Sequence, residues 1–275
     1  MKRYLPLLYG NYLDLLSFIA PKKATLKAIA IFSSPRKGKV QVYQSEFLNN
    51  AKDLLIDDAK RKIQTYKWAG TNKTVLLAHG WESNSFRWRK LIKELQKHDY
   101  NIIALDAPSH GNSPGNRFNV LMYTECMEKL VVRYKPEIII GHSLGGMTTI
   151  YHQYKYPNED VKKLVILAAP SELTRIMNDY QKLLKFSAKI LRDMEAFYIK
   201  KYGFKFSEFS SAAFAKKLSQ KGLIIHDVQD TIAPINESEA IHKNWENSVF
   251  YKTEGLGHSL QDKKVYKKII NFLNE

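Results

Sequence analysis

The sequence contains little that is typical of disulfide-bonded or membrane-spanning proteins. Cys126 is the one cysteine among 275 residues, so no internal disulfide can form and no oxidising compartment is indicated. It falls inside the predicted helix Val120–Tyr134, away from any glycine turn, which favours structural burial over nucleophilic chemistry. No stretch reaches the roughly 18 uninterrupted apolar residues that a membrane-spanning helix requires.

Acidic residues are scarce relative to basic ones. The chain has 27 Asp and Glu against 43 Lys and Arg, which gives a formal net charge of +16. Such an excess favours polyanions or anionic membranes in general. The basic residues are spread along the chain, however, and no zinc-finger spacing, long basic run or RNA-binding signature is present. We therefore expect lysine-rich solvated faces and no nucleic-acid partner.

The N-terminal segment has a basic start, Met1–Arg3, followed by a mostly apolar stretch from Tyr4 to Ala20. This resembles a signal peptide in outline, but polar residues interrupt the stretch and no small-x-small cleavage site follows it. We expect one or two amphipathic helices within Tyr4–Phe32 that dock on the body of the protein. Peripheral membrane contact through residues 1–32 is the second interpretation. The expected location is the cytoplasm.

The next segments predict a helix and a strand. Apolar residues at helical spacing predict a polar-faced helix from Leu48 to Lys62. Alternating residues from Ile63 to Trp68 predict a half-exposed strand.

From Thr74 onward, short apolar runs alternate with helical segments. This pattern predicts a mainly parallel sheet with helices on both faces. It stops between residues 170 and 221, where two or three helices rich in lysine and aromatic residues follow without a strand. We therefore predict three parts: a helical N-terminal extension (1–60), an α/β core (61–169 and 222–275) and a helical cap (170–221).

The most informative stretch begins with three consecutive isoleucines, Ile138–Ile140, and continues as Gly141-His142-Ser143-Leu144-Gly145 before a helical segment. A strand, Gly-x-Ser-x-Gly and a helix together are the context of a nucleophile elbow. A serine hydroxyl needs a base to take its proton and must stand clear of the backbone. The sharp turn achieves this, and the helix N-terminus presents N–H groups to developing negative charge. Ser143 is therefore the predicted nucleophile.

The base of such a serine is expected after the acid, in the chain order serine, acid, histidine. Eight histidines compete for the role. His79 and His110 precede Ser143, and the others lie in helices, at a strand end or beside the nucleophile. His258 lies in a loop between the last strand and the last helix, which can carry an imidazole over the sheet edge. His258 is the predicted general base.

The acid is expected just beyond the strand Gly222–His226. Asp230, before an Ala-Pro turn, is the predicted orienting acid; Asp227 is a near rival, and Glu172 is a more distant third. The predicted oxyanion hole consists of the backbone N–H groups of Trp81 and Leu144.

Two further residues are expected to contact the substrate. Gly80 allows the backbone to approach closely, and His142 stands beside the nucleophile in the turn.

Taken together, these motifs resemble the α/β-hydrolase superfamily, in that family's order, over about residues 70 to 273. The resemblance implies a mostly parallel eight-stranded sheet, a helical cap after strand 6, and acyl-enzyme chemistry without a cofactor or metal. Pro108-Ser109 before His110-Gly111 is a small departure from the family's Asp-x-x-Gly-His-Gly stretch. The motifs are His79-Gly80-Trp81, Asp106–Ser113, Gly141–Gly145, Asp227–Pro234 and Gly257-His258.

The expected function is that of a serine hydrolase acting on a small-molecule carboxylic ester or thioester. The same three side chains would also serve a lipase, an aminopeptidase or a C–C bond hydrolase. A non-catalytic ligand-binding protein on the same fold is the alternative from another class. The sequence indicates neither the acyl group nor the oligomeric state.

Overall fold

The computed structural model describes residues 5–58 and 61–275. The basic start Met1–Arg3, and residues 59 and 60 of the predicted helix, lie outside this part of the chain. The chain divides into two compact units. The smaller unit comprises the described residues up to Ser34 together with Glu172–Ser210, and the larger one comprises Pro35–Ser171 and Ser211–Glu275.

The larger unit contains one eight-stranded sheet. Its strands are β1 (Lys52–Asp58), β2 (Arg61–Trp68), β3 (Asn72–Ala78), β4 (Tyr100–Leu105), β5 (Ile138–His142), β6 (Lys163–Leu167), β7 (Lys221–Asp227) and β8 (Ser248–Thr253). They are ordered β1-β2-β4-β3-β5-β6-β7-β8. β2 is antiparallel to both of its neighbours, and the pairs from β4 through to β8 are parallel.

The central strand β5 is buried along its whole length. Parallel strands covered on both faces are typically continuous apolar runs, which explains the isoleucines of this strand. Ligands bind to such sheets beyond the carboxyl ends of the strands. The ends of β5 and β7 are therefore the places where functional side chains are expected.

The α-helices of the described residues lie between these strands and at both ends of the chain. They are α1 (Leu5–Ile19), α2 (Pro21–Ser33), α3 (Val42–Leu48), α4 (Arg89–Gln96), α5 (Val120–Tyr134), α6 (Leu144–Lys155), α7 (Leu173–Leu184), α8 (Ala188–Tyr202), α9 (Ser211–Ala215), α10 (Ile235–Asn244) and α11 (Lys263–Asn274). Short 3₁₀ helices cover Ser85–Trp88, Phe206–Glu208 and Gly257–Ser259. No helix within 5–58 or 61–275 is long and apolar enough to cross a membrane.

The smaller unit has its own apolar core, formed by α1, α2, α7 and α8. Leu13 and Met177 are completely buried within it. The Tyr180 hydroxyl donates a hydrogen bond to the Ala28 carbonyl at 2.9 Å, and its ring lies 5.1 Å from that of Phe32. Two segments separated by more than a hundred positions in the sequence therefore form one core.

These boundaries differ from the predicted three-part division. The N-terminal helical part ends at Ser34 rather than at residue 60, since β1 belongs to the sheet. The inserted segment is Glu172–Ser210 rather than 170–221. The Ser211 N–H at the start of α9 donates to the Ser171 carbonyl at 2.8 Å, which ties α9 to the larger unit.

The predicted helix from Leu48 to Lys62 is wrong. Its apolar residues have helical spacing, but Lys52–Asp58 pairs with β2 as an antiparallel edge strand. Leu55, expected on the buried helix face, is 44% exposed. Sheet pairing satisfies the backbone here and outweighs a weak local periodicity, which is a common ambiguity of short apolar segments.

Candidate active site

Ser143 lies at the tip of a tight turn between β5 and α6. Its φ and ψ are +53° and −123°, a region that a residue with a side chain rarely adopts and that is concentrated at functional sites. The Ser143 N–H donates to the Leu167 carbonyl at 2.8 Å, which ties the turn to β6. A Cβ on Gly145 would lie 2.2 Å from the Ala78 carbonyl oxygen, so the turn needs glycine there.

His258 is hydrogen-bonded to Asp230. Its Nδ1 lies 2.7 Å from Asp230 Oδ2. Because an ionised carboxylate only accepts, Nδ1 carries the proton and Nε2 of a neutral ring keeps its lone pair. The imidazole is partly exposed, with 21% of the side chain accessible, whereas the Asp230 side chain is buried. This arrangement leaves His258 Nε2 free to accept a proton from another group.

Asp230 is strongly stabilised as a carboxylate. Burial on its own would raise its pKa, but hydrogen bonds from His226, His258 and the N–H groups of Ala233 and Ile232 outweigh it and hold the pKa far below the ordinary value. His226 Nε2 lies 3.1 Å from the same Oδ2 atom. The aspartate therefore accepts from two imidazoles at once.

His226 was not among the predicted site residues. Its place at a strand end gives no sign of a role in the site, yet it stands four positions before Asp230. Its Nδ1 lies 2.7 Å from Ser238 Oγ and its Nε2 lies 2.7 Å from the Ala233 carbonyl. These contacts fix the ring, so it can hold Asp230 in place beneath His258.

The other two predicted acids bind elsewhere. Asp227 Oδ2 accepts from Thr253 Oγ1 at 2.8 Å and from the Leu256 N–H at 2.9 Å. Asp227 therefore holds the loop that leads to His258 rather than its imidazole. Glu172, in the smaller unit, accepts from Ser210 Oγ at 2.6 Å.

His142, the residue before Ser143, binds the loop that carries His258. Its Nε2 lies 2.7 Å from the His258 carbonyl oxygen, and the two ring centroids are 4.9 Å apart. Burial lowers the pKa of His142 well below its ordinary value, so the neutral ring donates through Nε2. The residue next to Ser143 thus holds the backbone of His258. The predicted substrate contact of His142 stays a prediction.

Arg87 and Arg89 fasten the same loop further along. Arg87 Nη2 donates to the Ser259 carbonyl at 3.0 Å, and Arg89 Nη1 lies 3.5 Å from Gln261 Oε1. Sequence reasoning missed both, since an arginine near the start of a helix resembles any solvated cation. No local signal would have identified them.

The loop after β3, which carries Trp81, is held by two buried histidines. His79 Nδ1 donates to the Gly80 carbonyl at 2.7 Å and its Nε2 accepts from the Ala107 N–H at 2.9 Å. His110 Nε2 accepts from the Glu82 N–H at 3.0 Å. Burial lowers the pKa of both rings, so they act as neutral structural groups.

Asp106 is a buried structural carboxylate. It accepts from the Ser85 N–H at 2.8 Å, from the Asn112 N–H at 2.8 Å and from the Tyr66 hydroxyl at 3.1 Å. The departure at Pro108-Ser109 is accommodated in this turn, where Ser109 has φ +68° and its Oγ donates to the Arg117 carbonyl. The departure therefore affects loop geometry without touching Ser143.

Gly80 packs directly against Ser143. A Cβ at this position would lie 2.8 Å from Ser143 Cβ and 3.1 Å from the His142 carbonyl oxygen. Leu144, on the other side, is the first residue of α6, whose first N–H groups have no partner within the helix. Leu144 directly follows Ser143, and Trp81 directly follows Gly80; the oxyanion-binding role of their N–H groups stays a prediction.

A methyl group at position 80 is expected to lower kcat by about 10²-fold, because a displacement of about 1 Å at reacting atoms has an effect of that size. Gly80→Ala would be compared with Gly203→Ala, where no atom lies within 4 Å of the added methyl and the cost is confined to the left-handed backbone (φ +82°) at the end of α8. Steady-state kinetics with thermal unfolding would separate a displaced site from a destabilised fold. A Gly80→Ala enzyme with wild-type kcat would contradict the packing argument.

Other reactive groups are not arranged for catalysis in the part of the chain that the structure describes. No three His, Cys, Asp or Glu side chains there are placed to hold a metal ion. Cys126 is buried in α5, and burial raises the pKa of its thiol to about 12. The thiol is therefore protonated at neutral pH.

Comparison with known families gives one match over most of the chain. Residues 69–263 match the family described as serine aminopeptidase, S33. This range includes the loop after β3, the turn at Ser143 and the segments that carry Asp230 and His258.

Individual relatives are more distant. An uncharacterised hydrolase, YugF, of Bacillus subtilis is 25% identical over 267 residues, covering 80% of this chain and 95% of that protein. A probable serine hydrolase of Drosophila melanogaster is 32% identical over 108 residues, which is 36% of this chain and 32% of that protein. This second match spans about a third of the relative's length.

Solved structures share the fold at low identity. A putative lipase from Acinetobacter baumannii superposes with a TM-score of 0.66 at 18% identity, covering 86% of this chain and 97% of that one. An esterase from Exiguobacterium antarcticum superposes with a TM-score of 0.62 at 15% identity, covering 78% and 96%. These structures therefore share the overall fold of this chain.

Proposed function

The chain belongs to the serine aminopeptidase S33 family of α/β-hydrolases, and from that premise we propose that it cleaves a carboxylic ester or thioester through an acyl-enzyme intermediate. One observation carries the proposal: His258 Nδ1 forms a 2.7 Å hydrogen bond with Asp230 Oδ2. The loop that carries His258 is bound by His142, the residue before Ser143. In a catalytic triad, a buried carboxylate binds the imidazole and the imidazole takes the proton of the serine.

In the acylation step, His258 Nε2 takes the proton of Ser143 Oγ as the oxygen attacks the substrate carbonyl carbon. A C–O bond forms, and the carbonyl π electrons move onto its oxygen. Asp230 stabilises the imidazolium without taking its proton. The tetrahedral intermediate then collapses, and His258 gives its proton to the leaving alkoxide or thiolate.

In the second half of the reaction, water takes the place of the leaving group. His258 removes a proton from the water as its oxygen attacks the acyl carbon. Collapse of the second intermediate releases the carboxylic acid and returns the proton to Ser143. In both intermediates the Trp81 and Leu144 N–H groups are proposed to bind the oxyanion, a contribution of about 10²–10³ in rate per donor.

Three side chains are proposed to act as positioning residues for the base. His142, Arg87 and Asp227 bind the loop at His258, Ser259 and Leu256. Because productive geometry must be held within about 0.5 Å, such contacts decide how often Nε2 meets the serine. None of the three is proposed to touch reacting atoms.

The proposed triad of Ser143, His258 and Asp230 would also serve the cleavage of other bonds. The family's description favours an aminopeptidase as the second candidate, and the resemblance to a putative lipase favours a lipid ester. C–C bond hydrolysis uses the same nucleophile and base. A non-catalytic ligand-binding protein would not require the buried Asp230 to be paired with a partly exposed imidazole.

The substrate is a small molecule, and the proposed chemistry uses amino-acid side chains and water without a cofactor or metal. We propose a cytoplasmic enzyme. Nucleic acid is not among the proposed partners.

A panel of p-nitrophenyl esters from acetyl to palmitoyl, with thioesters and aminoacyl p-nitroanilides alongside, would test the proposed substrate class. Saturable hydrolysis with one preferred acyl length is the expected result, with the esters or thioesters faster than the anilides. Faster turnover of the anilides would contradict the esterase proposal and favour an aminopeptidase. Binding without turnover across the whole panel would favour the non-catalytic alternative.

A further inference from the structure

The outer face of α1 carries an unusual row of apolar side chains. Leu8, Tyr12, Leu15 and Ile19 are spaced at i, i+4, i+7 and i+11, so they lie on one side of the helix. Ile19 is 86% exposed, and the neighbouring Phe18 is 83% exposed. Isolated exposed apolar residues are ordinary, but a contiguous row marks an interaction surface. We call Leu8, Tyr12, Leu15, Phe18 and Ile19 the α1 stripe.

The orientation of α1 within its unit is set by the opposite face. Leu13 is completely buried in the core of the smaller unit. Asp14 Oδ1 accepts from the Ser187 N–H at 2.9 Å. Other residues of α1 therefore pack into the core, and the α1 stripe is left on the outward side of the helix.

The adjoining helix α2 adds positive charge beside this apolar row. Lys22, Lys23 and Lys27 are all exposed. Within residues 5–33 the one acidic side chain is Asp14, which is engaged with Ser187. The lysines form no ion pair with any other described residue. The surface is thus apolar on α1 and cationic at the start of α2.

A groove connects the two parts. It has a volume of about 330 Å³ and is lined by Leu8, Tyr9 and Tyr12 of α1 and by Lys27 of α2. Apolar walls with one ammonium group at the edge suit a group that has both an apolar chain and an anionic head. Tyrosines in particular are favoured where one end of a side chain is apolar and the other is wet.

We propose that α1 and α2 attach the enzyme peripherally to an anionic lipid bilayer. The α1 stripe lies in the boundary between headgroups and acyl chains, and the three lysines bind lipid phosphates. Helices of this kind lie in the interface plane, and their binding combines buried apolar area with attraction to anionic lipids. The family match begins at residue 69, so this surface is an addition to the matched hydrolase region.

Charge favours a bilayer over a second copy of the chain as the occupant. A second copy of the chain carries the same Lys22, Lys23 and Lys27, so it offers this face no matching cluster of negative charge. An anionic bilayer neutralises the same lysines, each contributing about 1 kcal/mol near such a surface. The net charge of +16 acts in the same direction.

Flotation of the full chain with vesicles would test the proposal. Vesicles of phosphatidylcholine alone would be compared with vesicles containing one part phosphatidylserine to two parts phosphatidylcholine. We expect binding to the anionic vesicles, weakened by salt. Two variants should each lower the partition coefficient onto anionic vesicles by about tenfold or more. They are the double variant Phe18→Ser/Ile19→Ser and the triple variant Lys22→Gln/Lys23→Gln/Lys27→Gln.

Matched controls keep the result specific to this face. Val132→Ser removes an exposed apolar side chain from α5, and Lys263→Gln/Lys264→Gln/Lys267→Gln removes three exposed lysines from α11. Both should bind vesicles as the wild type does. Equal loss in the α11 variant would reduce the effect to net charge and overturn the proposal. A wild type that ignores anionic vesicles but forms a dimer that Phe18→Ser/Ile19→Ser disrupts would overturn it in favour of self-association.

Discussion

Ser143→Ala is expected to reduce kcat/KM by about 10⁵-fold or more. Removing the nucleophile of an acyl-enzyme mechanism eliminates the covalent route and leaves only binding and oxyanion stabilisation. The variant should fold like the wild type, because alanine adopts the same backbone conformation and fills less space. Hydrolysis of the preferred p-nitrophenyl ester, together with labelling by a fluorophosphonate probe, would measure the loss of both turnover and covalent reactivity.

Ser259→Ala is the matched control for this variant. Ser259 follows His258 directly, but it contributes its carbonyl oxygen, which accepts from Arg87, and alanine keeps that carbonyl. The control should label and hydrolyse normally. If Ser143→Ala kept its labelling, another nucleophile would be at work and the proposed mechanism would fail.

Asp230→Asn is expected to lower kcat by about 10⁴-fold, the size of loss seen when the acid of such a triad becomes an amide. An amide can donate as well as accept, so His258 would no longer be held as the tautomer with a free Nε2 lone pair. Asp227→Asn is the informative comparison, because Asp227 binds Leu256 and Thr253 rather than the imidazole. We expect it to cost about 10- to 10²-fold through loop displacement. A larger loss for Asp227→Asn than for Asp230→Asn would exchange their roles.

The low pKa of Asp230 also predicts how stability depends on pH. A carboxyl whose pKa is lowered by folding, here from an ordinary value of 3.8, stabilises the fold above that value and loses this contribution as the pH falls towards its folded pKa. The stability difference between wild type and Asp230→Asn should therefore be constant above about pH 5 and shrink below about pH 4. Urea unfolding at several pH values would measure it. A difference that grows with acidity would contradict the sign.

The alternation of strands and helices and the turn at Ser143 were accessible from the sequence because each has a strong local signal. The roles of Ser143 and His258 stay predictions. The helix predicted at Val120–Tyr134 has the observed bounds of α5, since its caps and apolar spacing agree. The eight-stranded, mostly parallel sheet is confirmed. The turn at Ser143 follows from glycines on either side of the serine, which the strained backbone requires.

Other features depend on contacts that local patterns do not encode. β1 is an edge strand because β2 is available to pair with it, and no window around Leu55 contains that information. Asp227 ends β7 and Asp230 follows it three positions later, and the Ala-Pro turn favours Asp230 only weakly. The path of the chain after β8 decides which of the two meets His258. The roles of Arg87 and His226 arise from the same long-range arrangement.

The discontinuous make-up of the smaller unit has a consequence for biosynthesis. Helices α1 and α2 leave the ribosome well before α7 and α8, which complete their core and follow only from Leu173 onward. At translation rates of about 5–20 residues per second, the N-terminal helices wait roughly 7–30 s for those partners. Throughout that interval the nascent chain presents the buried as well as the exposed side of α1 to chaperones and membranes.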